Sequence, residues 1–109
     1  MARAVNAADE LRRLLCAMFA AFDCRLDIEQ IVSRRWVSVT FSGHRHSVRL
    51  RLEGEGAAAA ADALVEGLSE REFDLTGHVV ADIALLSDER REDLGEVRLE
   101  LEALTVEAA

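Results

Sequence analysis

The apolar positions of this chain change period three times. Over residues 7–22, Leu11, Leu14, Leu15, Met18, Phe19 and Phe22 recur every three or four positions, a single stripe that predicts an amphipathic helix. Asn6 stands where an N-cap accepts backbone N–H groups, and Asp9 and Glu10 follow where the helix dipole favours acids. From Cys24 the period drops to two. Cys24, Leu26 and Ile28 alternate with Arg25, Asp27 and Glu29, which predicts a half-buried strand from Cys24 to Val32. Ile31 and Val32 disturb the alternation, so a bulge or the strand end is expected there.

Ser33-Arg34-Arg35 reads as a short turn, and Trp36 to Phe41 as a second strand with Val37, Val39 and Phe41 on its core face. Ser42-Gly43-His44-Arg45 reads as the next turn, with Gly43 supplying a positive φ. A third strand from about His46 to Glu53 places His46, Val48, Leu50 and Leu52 on one face and Ser47, Arg49, Arg51 and Glu53 on the other. Gly54-Glu55-Gly56 breaks that strand. Ala57 to about Glu70 returns to the helical period, and its alanine stripe implies close approach to a sheet. His78 to Leu86 is apolar on both faces apart from Asp82, which suggests a central or doubly covered strand. Ser87 to Gly95 reads as a charged loop. Glu96 to Val106 reads as the fifth strand, with Val97, Leu99 and Leu101 inward.

The expected architecture is a single α+β domain over residues 1–109, a two-layer sandwich in α-β-β-β-α-β-β order. Its sheet is mainly antiparallel and five-stranded, with both helices on one face. The uncovered face then carries Asp27 and Glu29, Arg49 and Arg51, and Glu100 and Glu102 on separate strands, an arrangement suited to cross-strand ion pairs.

Composition adds a charge asymmetry. The chain of 109 residues has net charge −8, yet Ile31 to Leu52 holds five arginines and no acid, while the remainder holds eight arginines and 21 acids. An acidic whole weighs against a general nucleic-acid or anionic-membrane binder. All basic residues are arginine, and the abundant alanine suggests a bacterial genome rich in G and C. Charges come too early at the N-terminus for a secretory signal, and no apolar run approaches the length of a membrane span. Cys16 and Cys24 form no CxxC pair and read as reduced thiols, so the expected location is cytoplasmic.

Candidate chemistry is sparse. His44 and His46 form a His-x-His pair, with His78 as a third ligand if the fold brings it near; these are weak candidates for a metal or small-molecule site. Neither cysteine has a Cys-His signature, and Ser42 lacks a GxSxG frame, so no catalytic residue is assigned. Gly54-Glu55-Gly56 resembles a phosphate cradle only in its glycines, since Glu53 and Glu55 oppose an anion. No cofactor is expected.

The basic segment with Trp36 and Phe41 interleaved has the make-up of a nucleic-acid-reading surface. The α-β-β-β-α order over residues 7–70, with its Ala-rich second helix, resembles a double-stranded-RNA-binding domain. That family starts its second helix with a lysine cluster, and this chain has Gly54-Glu55-Gly56-Ala57 there, followed by Asp62 and Glu66. The leading expectation is a non-enzymatic interaction or assembly protein, a homodimer or complex subunit. Its binding candidates are Arg34, Arg35, Trp36, Arg45, Arg49 and Arg51, because Trp and Arg dominate binding hot spots. The alternatives are a site built on His44, His46 and His78, and RNA binding through residues 31–53.

Overall fold

A computed structural model describes residues 6–68, 74–75 and 78–107. Helix α1 (Ala7–Phe19) starts at Asn6, whose side-chain oxygen accepts from the Ala8 N–H at 2.8 Å. Strands β1 (Arg25–Val37) and β2 (Ser42–Glu53) form a long hairpin, followed by α2 (Ala57–Gly67). A two-residue strand, β3 (Asp74–Leu75), precedes β4 (His78–Arg91), a 3-10 turn at Glu92–Leu94, and β5 (Glu96–Glu107). The antiparallel sheet has the order β1-β2-β5-β4-β3. Residues 69–70, part of the expected second helix, lie outside the described residues.

The expected α+β sandwich is present in outline, but the strand count is corrected. There are four long strands plus the two-residue β3, and the order before α2 is α-β-β, not α-β-β-β. Ser33-Arg34-Arg35 is not a turn, because β1 runs straight through it. A bulge between Ile28 and Gln30 resets the phase, so Ile31, Ser33 and Arg35 continue the face begun by Leu26 and Ile28. The turn lies at Ser38–Phe41, closed by the Ser38 N–H donating to the Phe41 carbonyl at 2.7 Å. With the three-strand order gone, the resemblance to a double-stranded-RNA-binding domain loses its topological basis.

Gly43, expected in that turn, sits in β2 opposite Trp36 and has no positive φ. Its role is close approach: a Cβ there would meet the Thr105 carbonyl oxygen at 1.8 Å and the Trp36 ring at 3.0 Å. Gly54 does need its unusual backbone, with φ of 130° where β2 turns into α2.

Both helices pack on one face. Leu11, Leu15 and Phe19 of α1 and Ala57, Ala60, Ala61 and Leu64 of α2 bury against Val48, Leu50 and Leu52 of β2 and Val97, Leu99, Leu101 and Ala103 of β5. The alanine stripe does bring α2 close to the sheet, as its small side chains allow. The strands at the centre of the core are therefore β2 and β5. Strand β4 is not doubly covered: Val79 and Leu86 are exposed on its outer face. It also continues to Arg91, through most of the expected charged loop, with bulges at Val80/Asp82 and Leu85/Ser87. Arg90 ties β4 to α2 by an ion pair to Asp62 at 2.7 Å and pairs within β4 with Asp88 at 3.0 Å.

Candidate functional site

The β1–β2 hairpin carries most of the residues singled out above, and its register divides them. Arg34 faces Arg45 across the strands on the outer face, while Arg35 faces His44 on the helix-bearing face. Arg45 is relieved by Glu102 at 2.6 Å. Arg49 meets Glu100 at 3.3 Å, and Arg51 reaches Asp27 at 3.2 Å, Glu53 at 3.2 Å and Glu96 at 3.9 Å. Arg98 completes this lattice with Glu29 and Glu96. Arg34 and Arg35 differ: both are exposed, and neither makes an ion pair among the described residues. Trp36 is half-buried on the outer face beside Gly43, and its indole N–H has no hydrogen-bond partner among the described residues.

The hairpin tip departs most from expectation. Val37, Val39 and Phe41, expected in the core, are 68%, 104% and 60% exposed. Val37 ends β1, and Val39 and Phe41 belong to the turn itself, outside the core cluster. The tip is thus apolar at its end and carries two uncompensated arginines just behind it.

The histidines do converge on the helix-bearing side. His46 is buried; its Nδ1 is 2.6 Å from Ser33 Oγ and its Nε2 is 3.0 Å from Thr105 Oγ1. The Thr105 hydroxyl donates to the His44 carbonyl, so it accepts from His46 Nε2–H, and Nδ1 accepts from Ser33. Burial, reinforced by neighbouring His44 and His78, pushes the His46 pKa down to about 4. The His44 ring stacks on His46 with centroids 5.8 Å apart, and His78 Nδ1 lies 3.4 Å from the buried Glu10 carboxylate. Among the described residues no three His, Cys, Asp or Glu side chains are placed to hold a metal ion. Ser33, Thr105 and Glu10 had no signal in the sequence, because their roles depend on strand register and helix docking.

Cys16 is exposed and Cys24 half-buried, both free, and burial with Asp23 nearby pushes the Cys24 thiol up. The Cys24 thiol is therefore not activated.

A second feature lies at the opposite end of β2 and β5. A cavity of about 460 Å³ is lined by Ala58, Leu94 and Val97 and rimmed by Glu55, Glu92 and Glu96. Arg90 also borders it, with its guanidinium committed to Asp62 and Asp88. Glu55 and Glu92 are exposed and make no ion pair among the described residues. The sequence held no pointer to this hollow, which joins segments almost 40 residues apart.

No protein-family model matches the chain, and no characterised protein matches its sequence. Among solved structures, the fold is similar to a chain of the virion of a native gene transfer agent particle. The similarity has a TM-score of 0.55 at 17% identity and covers 93% of this chain and 91% of that one. This defines a shared α+β fold. Among the described residues, no helix is long and apolar enough to cross a membrane.

Proposed function

We propose that this protein is a non-enzymatic assembly protein that works by associating with further copies of itself. The observation that carries this reading is the hairpin tip, where Val37, Val39 and Phe41 stand in solvent next to Arg34 and Arg35. Exposed aliphatic and aromatic side chains backed by unpaired arginine have the composition of a binding hot spot awaiting a partner. Trp36 and Arg45 extend the same patch onto the outer face of the sheet. Arg49 and Arg51 have a different role in this reading, because they neutralise carboxylates within the sheet. The fold's similarity to a component of a virion particle agrees with a life inside an assembly.

Sedimentation velocity across a concentration and ionic-strength series tests the proposal. Association that strengthens as salt falls is expected, since the basic hairpin and acidic body attract. A monomer at low salt and high concentration would remove the reading.

A further inference from the structure

The tip and the cavity described above are complementary in chemistry and lie at opposite ends of the same two strands. Gly43 pairs with Val106 beside the tip, while Glu53 pairs with Glu96 beside the cavity. The molecule is 49 Å along its longest axis. The tip offers an aromatic ring, two valines and two arginines without acidic partners among the described residues. The cavity offers apolar walls at Ala58, Leu94 and Val97 and two carboxylates, Glu55 and Glu92, without basic partners among the described residues. Its volume of about 460 Å³ falls within the range of pockets that enclose small organic ligands, so it can admit a phenyl ring with its neighbours.

We propose that the hairpin tip of one copy inserts into this cavity of a second copy, with Phe41 against Leu94 and Arg34 and Arg35 facing Glu55 and Glu92. This names the partner surface for the self-association proposed above, and it rests on that reading. Because donor and acceptor patches occupy opposite ends of one molecule, the contact is heterologous. After pairing, the donor copy keeps a free cavity and the acceptor copy a free tip, so assembly continues past a dimer into a ring or an open chain.

Two single variants and their mixture test it. Both target exposed residues, and thermal melts confirm that the variants remain folded. Phe41→Glu destroys the tip but leaves the cavity, and Leu94→Arg destroys the cavity but leaves the tip. Each alone is expected to be monomeric under conditions where the wild type sediments as species larger than a dimer. Mixed in equal amounts, they retain one intact tip and one intact cavity, and the expected product is a dimer that grows no further. A second pair reads the charges: Arg34→Glu with Arg35→Glu loses association, and a partner carrying Glu55→Arg with Glu92→Arg restores it.

Wild type that assembles while both single variants assemble equally well would overturn the tip-and-cavity contact and leave the assembly reading standing. Wild type that stops at a dimer would overturn the end-to-end arrangement. Monomeric wild type at every salt and concentration would instead defeat the assembly reading itself.

Discussion

Ser33 Oγ lies 2.6 Å from His46 Nδ1, joining β1 to β2 by a side-chain hydrogen bond to a buried imidazole. The other ring nitrogen is held by Thr105 on β5, so one neutral histidine links three strands. A second ring proton would reverse the Ser33 bond, since a hydroxyl also accepts, and it is burial that opposes the charge.

Acid should therefore unfold the protein partly through His46. Its pKa is about 4 when folded against 6.5 for an unperturbed histidine. Between these values the unfolded chain binds the proton and the folded chain does not, so stability rises with pH across the window. The contribution is complete above pH 6.5 and lost as pH falls toward 4, with an upper bound of about 3 kcal/mol. Urea unfolding at pH 4.5, 5.5, 6.5 and 7.5 measures the slope. His46→Leu is expected to flatten it relative to wild type, and parallel slopes would refute the assignment.

Thr105→Val tests the same network from its other side. The substitution keeps the shape but leaves the His46 Nε2–H buried without an acceptor, which costs about 1–3 kcal/mol. Equilibrium unfolding at pH 7.5 reads this loss. A change below about 0.5 kcal/mol would mean that the ring turns or water replaces the hydroxyl.

Gly43→Ala is expected to destabilise the sheet by about 2 kcal/mol, a typical overpacking cost where rigid atoms must move. The nearest obstruction is the Thr105 backbone oxygen at 1.8 Å, and backbone cannot swing aside as a side chain can. Because Trp36 also borders the site, a shift in tryptophan fluorescence should accompany the loss. Wild-type stability with an unchanged emission spectrum would contradict the close approach.

Arg51 and Arg49, both on the outer face, should differ when removed. Arg51 is one-quarter exposed and meets three carboxylates, whereas Arg49 is about half exposed and meets one. Exposed single pairs contribute little after screening, while networks contribute more. Arg51→Ala is therefore expected to cost about 1 kcal/mol and Arg49→Ala less than about 0.5 kcal/mol. Thermal melts at low and high salt check both, and equal losses would argue against a network centred on Arg51.

Local pattern revealed what local forces decide. The stripe from Leu11 to Phe19 became α1, the alanines of residues 57–61 became a closely docked helix, and the Val97–Leu101 alternation became the inward face of β5. Opposite charges on alternating positions foretold the Arg51–Asp27 and Arg49–Glu100 pairs. The hairpin turn was misplaced because Ser42-Gly43-His44-Arg45 has turn chemistry while Val37-Ser38-Val39-Thr40-Phe41 has strand chemistry. The contacts around Gly43 and the bonds of His46 fit a turn four residues earlier, and they involve β5, about 60 residues away. Arg34 and Arg35 fit inside a strand because both of its faces are open to water at that level. The acidic cavity leaves no local pattern in the sequence, because it exists only where the β2–α2 turn meets the start of β5.

The misplaced turn leads to a direct comparison between apolar residues inside and outside the core. Leu50 is fully buried at the centre of the helix-bearing face, so Leu50→Ala should cost about 2–5 kcal/mol through lost transfer energy and a residual cavity. Phe41 and Val39 bury little in one copy of the chain, so Phe41→Ser and Val39→Ser should each change stability by less than about 0.5 kcal/mol. Measured on dilute protein in high salt, where association is weakest, chemical unfolding isolates the single chain from its partners. If Phe41→Ser costs as much as Leu50→Ala there, the tip is packed within the chain and cannot serve as a free docking surface. If it costs nothing there but lowers the melting temperature of concentrated protein in low salt, its burial comes from another copy, because only binding to the folded state makes stability concentration-dependent.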